Sequence, residues 1–269
     1  MDNRPIGVFD SGLGGLTVLK EIIKVLPNEN IVYFGDTARV PYGPRSKDTI
    51  IEYTFQAINF LISKNVKAIV IACNTATARS LKEAKQKYDI PIIGVIEAGA
   101  RAAVYSTRDK IIGVIGTQGT ISSKSYDLEI QKLDKDIKIV SKACPLFVPI
   151  IEEGWSNTEV AYLTAKEYLN DLLVEGIDSL VLGCTHYPIL KRTIGSVVGD
   201  NIKLVNPAKE TAKDLEIILT QKNILRSKDC NNSTYEYYVS DIPEKFVSIG
   251  QQFLKREMND VKKIDIQKY

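Results

Sequence analysis

Two cysteines stand in matching company. Cys73 is followed by Asn74, Thr75, Ala76 and Thr77, and Cys184 by Thr185, His186, Tyr187 and Pro188. Each closes a short apolar run, Ile69-Val-Ile-Ala before the first and Leu180-Val-Leu-Gly before the second. A thiol ionises near pH 8.5, so one of a pair can be thiolate while the other is thiol close to neutrality. Two such groups facing each other across a carbon can invert a stereocentre: one removes a proton from one face and the other supplies a proton to the opposite face. Either cysteine alone reads more readily as a packed, inert core residue. Two at equivalent places, each trailed by hydroxyl and amide groups, reverse that balance.

Other side chains fall beside them in the pattern. Asp10, in the turn Asp10-Ser-Gly-Leu-Gly-Gly, could accept a proton near Cys73, and His186, the only histidine, could do so near Cys184. The plainer readings are a turn or N-cap aspartate and a loop histidine. Ser11 and the N–H groups of the Gly-rich turn form a cradle for a small anion such as a carboxylate. Gly12, Gly14 and Gly15 do not have the dinucleotide spacing GxGxxG, and no GxxxxGK[ST] stretch occurs, so neither fingerprint calls for a nucleotide cofactor. Tyr42 and Gly43, between Pro41 and Pro44, read as an exposed turn able to close over a ligand. Thr117 and Thr120 offer hydroxyls to the same cleft or serve as helix caps. Arg39 and Arg45 read as carboxylate ligands or as solvated surface charges. The N–H groups that follow each cysteine are expected to hold an anion and to lower a thiol pKa. Cys144 and Cys230 are expected to be structural. The four cysteines form no CxxC pair, and with one histidine no metal site is expected.

The elements that must position these groups follow an α/β rhythm. Apolar, β-branched runs at 6–9, 31–34, 68–72, 92–95, 111–115, 137–140, 179–182, 203–205 and 235–239 read as strands. Amphipathic stretches at 16–26, 48–64, 76–88, 97–105, 158–175 and 207–221 read as helices. Continuous apolar runs are those of parallel strands covered on both faces. The chain also repeats itself. Ile6-Gly-Val-Phe-Asp-Ser-Gly is answered by Ile112-Gly-Val-Ile-Gly-Thr-Gln-Gly, 106 residues on at the aligned glycine (113 − 7), and Cys73 by Cys184, 111 residues on. Hence the expected fold is two similar α/β domains with mostly parallel sheets, related by a pseudo-twofold axis, with the active site in the cleft between them. The expected boundaries are 1–97 plus 208–269 for a discontinuous first domain and 98–207 for the second. The charge-rich tail from Lys255 to Tyr269 is expected to fray.

Thirty-five Lys and Arg against 33 Asp and Glu leave a formal charge of +2, which gives no reason to expect a nucleic-acid partner. No apolar stretch approaches the roughly 18 residues a membrane helix needs, and the first apolar run is too short for a signal peptide. A cytoplasmic protein with free thiols is expected.

The stretches FDSGLGGLTVL (Phe9–Leu19), YFGDTARVPYG (Tyr33–Gly43), IACNTATA (Ile71–Ala78), GVIGTQGT (Gly113–Thr120) and LGCTHYP (Leu182–Pro188) resemble, in order, those of the bacterial glutamate racemases in the aspartate/glutamate racemase superfamily. The resemblance spans most of the chain. It implies a cofactor-independent enzyme that supplies D-glutamate for peptidoglycan synthesis, with Cys73 as base for D-glutamate and Cys184 as base for L-glutamate. Asp10 and His186 would assist proton transfer. Ser11, Tyr42, Gly43, Asn74, Thr75, Thr117 and Thr185 would bind substrate, with Glu152 and Thr120 as auxiliary groups. A homodimer is implied, and no activation by a cell-wall precursor, because only nine residues precede Asp10. Ala98 stands where the family usually has proline. Related racemases or isomerases acting on aspartate, a hydantoin or maleate stay open, as does a non-catalytic protein that binds acidic amino acids.

Overall fold

A computed structural model describes residues 1–227, 232–258 and 260–269; Cys230 lies outside them. The first stretch runs β1 (Ile6–Asp10), α1 (Leu16–Val25), β2 (Ile31–Gly35), α2 (Lys47–Ser63), β3 (Ala68–Ile71), α3 (Asn74–Lys87), β4 (Ile92–Gly94) and α4 (Ile96–Ser106). The second runs β5 (Ile111–Gly116), α5 (Gln118–Ser122), α6 (Ser125–Leu133), β6 (Lys138–Ala143), α7 (Phe147–Glu152), α8 (Glu159–Val174), β7 (Ser179–Gly183), α9 (Lys191–Val198) and β8 (Lys203–Val205). Then come α10 (Pro207–Gln221), β9 (Tyr235–Val239), α11 (Pro243–Leu254) and β10 (Val261–Lys263).

The strands form two sheets, ordered β10-β9-β2-β1-β3-β4 and β6-β5-β7-β8, and every pairing is parallel. The stretch β2-β1-β3-β4 has the same order as β6-β5-β7-β8 once each is numbered from its own first strand. That identity is the structural form of the sequence repeat. In both sheets the order reverses between the first and third strands, the place where open α/β sheets leave a crevice at their carboxyl ends. Cys73 follows β3 and Cys184 follows β7, so each stands beside such a crevice.

Local chemistry sets the helix starts. Ser46 accepts from the Thr49 N–H at the head of α2, and Thr158 caps α8 in the same way. Asn206 caps α10, with Pro207 in the first helical position. Along α1, Leu16, Val18, Leu19 and Ile22 are buried, the spacing of a helix laid on a sheet. One continuous apolar core joins residues of both sheets, including Val8, Val114 and Leu182, with Ala100 of α4 between them in the cluster, while a second lies around Phe9, Phe34 and Phe60.

Three expectations need correction here. The end of the tail, 260–269, does not fray. It adds β10 to the edge of the first sheet, buries Ile266, and sets the Tyr269 ring edge-on to Phe60 at 5.2 Å. The strand read at 137–140 is Lys138–Ala143, half-buried at the edge of its sheet, and its later residues, Ser141, Lys142 and Ala143, carry no apolar run. Finally, the short helices α5, α6, α7, α9 and α11 were not among the amphipathic stretches.

Candidate active site

The two crevices face one small cavity. It is lined by Ser11, Val40, Pro41, Tyr42, Gly43, Cys73, Asn74, Thr75, Thr117, Val148, Cys184, Thr185 and His186. Both thiols are therefore in the same space, delivered by equivalent strands of two sheets.

On the first side, Asp10 ends β1 fully buried, and its carboxylate accepts from the Gly12 N–H at 3.0 Å. Tyr33 donates its hydroxyl to the Gly12 carbonyl at 2.8 Å, which fixes the turn from beneath. Cys73 is the N-cap of α3, with its sulfur 3.5 Å from the Ala76 N–H. That contact and a hydrogen bond with Ser11 favour the thiolate, but burial and the nearby Asp10 oppose it. The thiol pKa is pushed up to about 12, chiefly by burial. The sequence expectation of a lowered thiol pKa is thus reversed at Cys73: one N–H at sulfur distance does not offset the loss of water. Burial also raises the Asp10 carboxyl, against the opposing pull of His186 and of the turn N–H groups.

On the second side, His186 stands between a thiol and a carboxylate. Its Nδ1 is 3.9 Å from Cys184 Sγ and its Nε2 is 3.0 Å from Glu152 Oε1. Burial disfavours a charged ring, yet the contacts with Cys184 and Glu152 outweigh it and raise the imidazole pKa to about 10. The ring is then cationic at neutral pH.

The sides are stitched together around the cavity. Thr185 donates its hydroxyl to Asp10 Oδ1 at 3.3 Å, and Thr17 donates to the Thr185 carbonyl at 2.8 Å. The hydroxyls of Thr75 and Thr117 are 2.8 Å apart, with Thr120 3.4 Å from Thr75. At Gly14 the two sides pack closely: a Cβ there would sit 2.3 Å from Thr185 Oγ1 and 2.4 Å from His186 Nδ1.

Of the residues singled out in the sequence, Cys73, Cys184, His186, Ser11, Tyr42, Gly43, Asn74, Thr75, Thr117 and Thr185 line this cavity. Asp10, Glu152 and Thr120 touch its lining from behind. Tyr42 is buried, not exposed, and its hydroxyl donates to Asp36, so only its ring and backbone remain for a ligand. Arg39 is turned away from the cavity: it bonds Asp36 and Gln56 and stacks over the Tyr53 ring. Arg45 is exposed, and neither arginine lines the cavity. Among the described residues no Lys or Arg lines it, so a carboxylate there has hydroxyls, the Asn74 amide, backbone N–H groups and the His186 ring to hold it. Among the described residues no group of three or more His, Cys, Asp or Glu could hold a metal ion, and no helix is long and apolar enough to cross a membrane. Val40, Pro41 and Val148 line the cavity without having been picked out, because an apolar residue in a loop carries no chemical signal. Thr17 does carry one, since it closes the Gly-rich stretch that begins at Asp10.

A family model described as Asp/Glu/hydantoin racemase matches residues 6–215. The chain belongs to that family. Membership makes it an isomerase of the amino-acid racemase class. Within the Asp/Glu/hydantoin racemase family, the glutamate racemase of Geobacter metallireducens is 49% identical over 264 residues, covering 98% of this chain and 97% of that one. A glutamate racemase structure from Bacillus anthracis superposes with a TM-score of 0.94 at 40% identity, covering 98% of both chains. Another, from Francisella tularensis in complex with D-glutamate, gives 0.93 at 43% identity over all of both. The chain thus has the two-domain racemase fold of these structures.

Proposed function

We propose that the protein interconverts L- and D-glutamate by a two-base transfer of the α-proton, without a cofactor. The observation that carries this reading is that Cys73 and Cys184 line one cavity from equivalent strands of two sheets. The glutamate assignment draws on the names of the relatives and on a hydroxyl-rich lining that also holds the His186 ring, suited to a small anion.

From L-glutamate, the Cys184 thiolate takes the α-proton while the Cys73 thiol gives its own to the opposite face. D-Glutamate leaves, with Cys184 now thiol and Cys73 thiolate; the reverse reaction exchanges the roles. The raised Cys73 pKa suits a proton donor, and the cationic His186 ring gives a Cys184 thiolate a charge partner. Asp10 and His186 are the adjacent groups through which each sulfur can be reset. Ser11, Asn74, Thr75, Thr117 and Thr185, with the N–H groups near Tyr42 and Gly43, would hold the carboxylates and stabilise the charge that builds at the α-carbon in a closed site. Glu152 would hold His186, and Thr120 would hold Thr75.

The domain division that fits this reading is 1–97 plus 208–269 and 98–207. It is supported by a first sheet drawn from 6–94 and 235–263 and a second drawn from 111–205. We further propose a cytoplasmic homodimer whose product feeds peptidoglycan synthesis. The test is incubation of the purified protein with D-glutamate in deuterated water, following optical rotation and α-deuterium together. Loss of rotation with deuterium in the product is expected. Exchange with aspartate instead would move the substrate, and no exchange with either would overturn the racemase reading of this cavity.

A further inference from the structure

Asn74 carries the one side-chain amide that lines the cavity among the described residues, and an amide has two unlike ends. Turned one way it offers N–H donors to a carboxylate; turned the other it presents an oxygen and repels it. Its own helix does not choose between these, because Asn74 is the first residue of α3, beyond the Cys73 cap. The choice is made from the other sheet's side. Tyr126, on α6, is buried and donates its hydroxyl to Asn74 Oδ1 at 2.8 Å.

We propose that Tyr126 is a positioning residue for substrate binding: by occupying Asn74 Oδ1 it turns the Asn74 Nδ2 hydrogens into the cavity. The proposal rests on the racemase reading above and gives Asn74 its polarity within it. The alternative orientation is disfavoured on both ends. With Nδ2 toward Tyr126, the buried phenol would have no acceptor for its proton, since Asn74 Oδ1 is the one acceptor it meets among the described residues. The cavity would then face an anion with a carbonyl oxygen. Burial, together with the neighbouring Cys184, raises the Tyr126 pKa, so the hydroxyl keeps its proton and remains a donor throughout the working pH range. Nδ2 makes no hydrogen bond to protein among the described residues, which leaves it for the ligand. The arrangement also makes substrate binding depend on both sheets at once, because the amide is on one and the group that orients it is on the other.

Steady-state kinetics in both directions provide the test, on wild type, Tyr126→Phe, Asn74→Ala and the double variant. Tyr126→Phe should raise KM about tenfold for both enantiomers, the value of one hydrogen bond to a charged group, with kcat within about threefold. In the Asn74→Ala background the same substitution should change KM by less than about twofold, because there is no amide left to orient. An unchanged KM, a loss confined to kcat, or equal effects in the two backgrounds would overturn the proposal. If Tyr126→Phe does not fold, Asn74→Asp replaces it: a carboxylate still accepts from Tyr126 but cannot donate, so KM should rise at least as far as in Asn74→Ala. Should wild type racemise nothing, the racemase reading fails separately. The orientation is then read without turnover, in protein labelled with 15N-asparagine. Absence of nuclear Overhauser contacts from the Asn74 amide protons to the Tyr126 ring in wild type, and their appearance in Tyr126→Phe, supports the proposal. Their presence in wild type overturns it.

Discussion

The chain has a single histidine, so one resonance reports the charge of the second side of the site. In wild type the His186 ring should remain an imidazolium through neutral pH and titrate near 10. Glu152→Gln keeps the shape of its partner and removes the charge at 3.0 Å. A hydrogen bond to a charged group contributes about 1.5 to 3 kcal/mol, and about 1.36 kcal/mol corresponds to one pH unit. The midpoint should therefore fall by about one to two units, with Cys184 sustaining the rest. Stability follows with a defined sign. Below the unfolded value of about 6.5 the ring is charged whether folded or not, and folding gains the whole interaction; the gain is lost as pH rises through the folded value near 10. The distance from 6.5 to about 10 caps that gain at about 5 kcal/mol. The assay is the proton or carbon shift of the Cε1 position from pH 5 to 11, paired with urea unfolding at the same pH values. A wild-type midpoint at 6 to 7, or one that Glu152→Gln leaves in place, would refute the picture of a ring held charged between thiol and carboxylate.

Cys73→Ala and Cys184→Ala should each abolish racemisation; chiral chromatography of the product would expose any two-way turnover that survived. Gly14→Ala would drive a methyl onto Thr185 and His186. It should cost about 1 to 3 kcal/mol of stability and lower kcat under conditions where denaturation shows the variant still folded. Ile266→Ala should cost about 2 to 4 kcal/mol, seen as an earlier urea midpoint. A change below about 0.5 kcal/mol would mean that the tail contributes little to the fold.

The sheet interiors were legible because a parallel strand covered on both faces admits little but apolar residues: Ile6, Val8 and Phe9, or Ile69, Val70 and Ile71, have no other reading. Edges were not. Lys262 and Lys263 belong to β10, where one side of the strand is open and lysine is tolerated. In the site, residue type and chain position carried far when the side chain follows directly from a strand end, as for Cys73, Asn74, Cys184 and Thr185. They failed where a side chain must choose among distant partners. Arg39 had a carboxylate-binding charge, but Asp36, Gln56 and Tyr53 take it elsewhere. Tyr126 gave no signal at all, since its contact with Asn74 spans two elements 52 residues apart in sequence.

The pairing of β2 with β9 joins Ile31 to Tyr235, 204 residues later in the chain. On a ribosome adding about 5 to 20 residues per second, β2 waits on the order of 10 to 40 seconds for its neighbour. Every strand of the four-stranded sheet is made within that interval. The nascent protein thus carries an open edge of Ile31, Val32, Tyr33, Phe34 and Gly35 while its middle is already complete. That edge is uncharged and able to pair with another chain. A stop codon between Cys184 and Tyr235 would release a product in which the wait never ends. Premature termination should therefore yield aggregates, even though the truncated chain contains both cysteines.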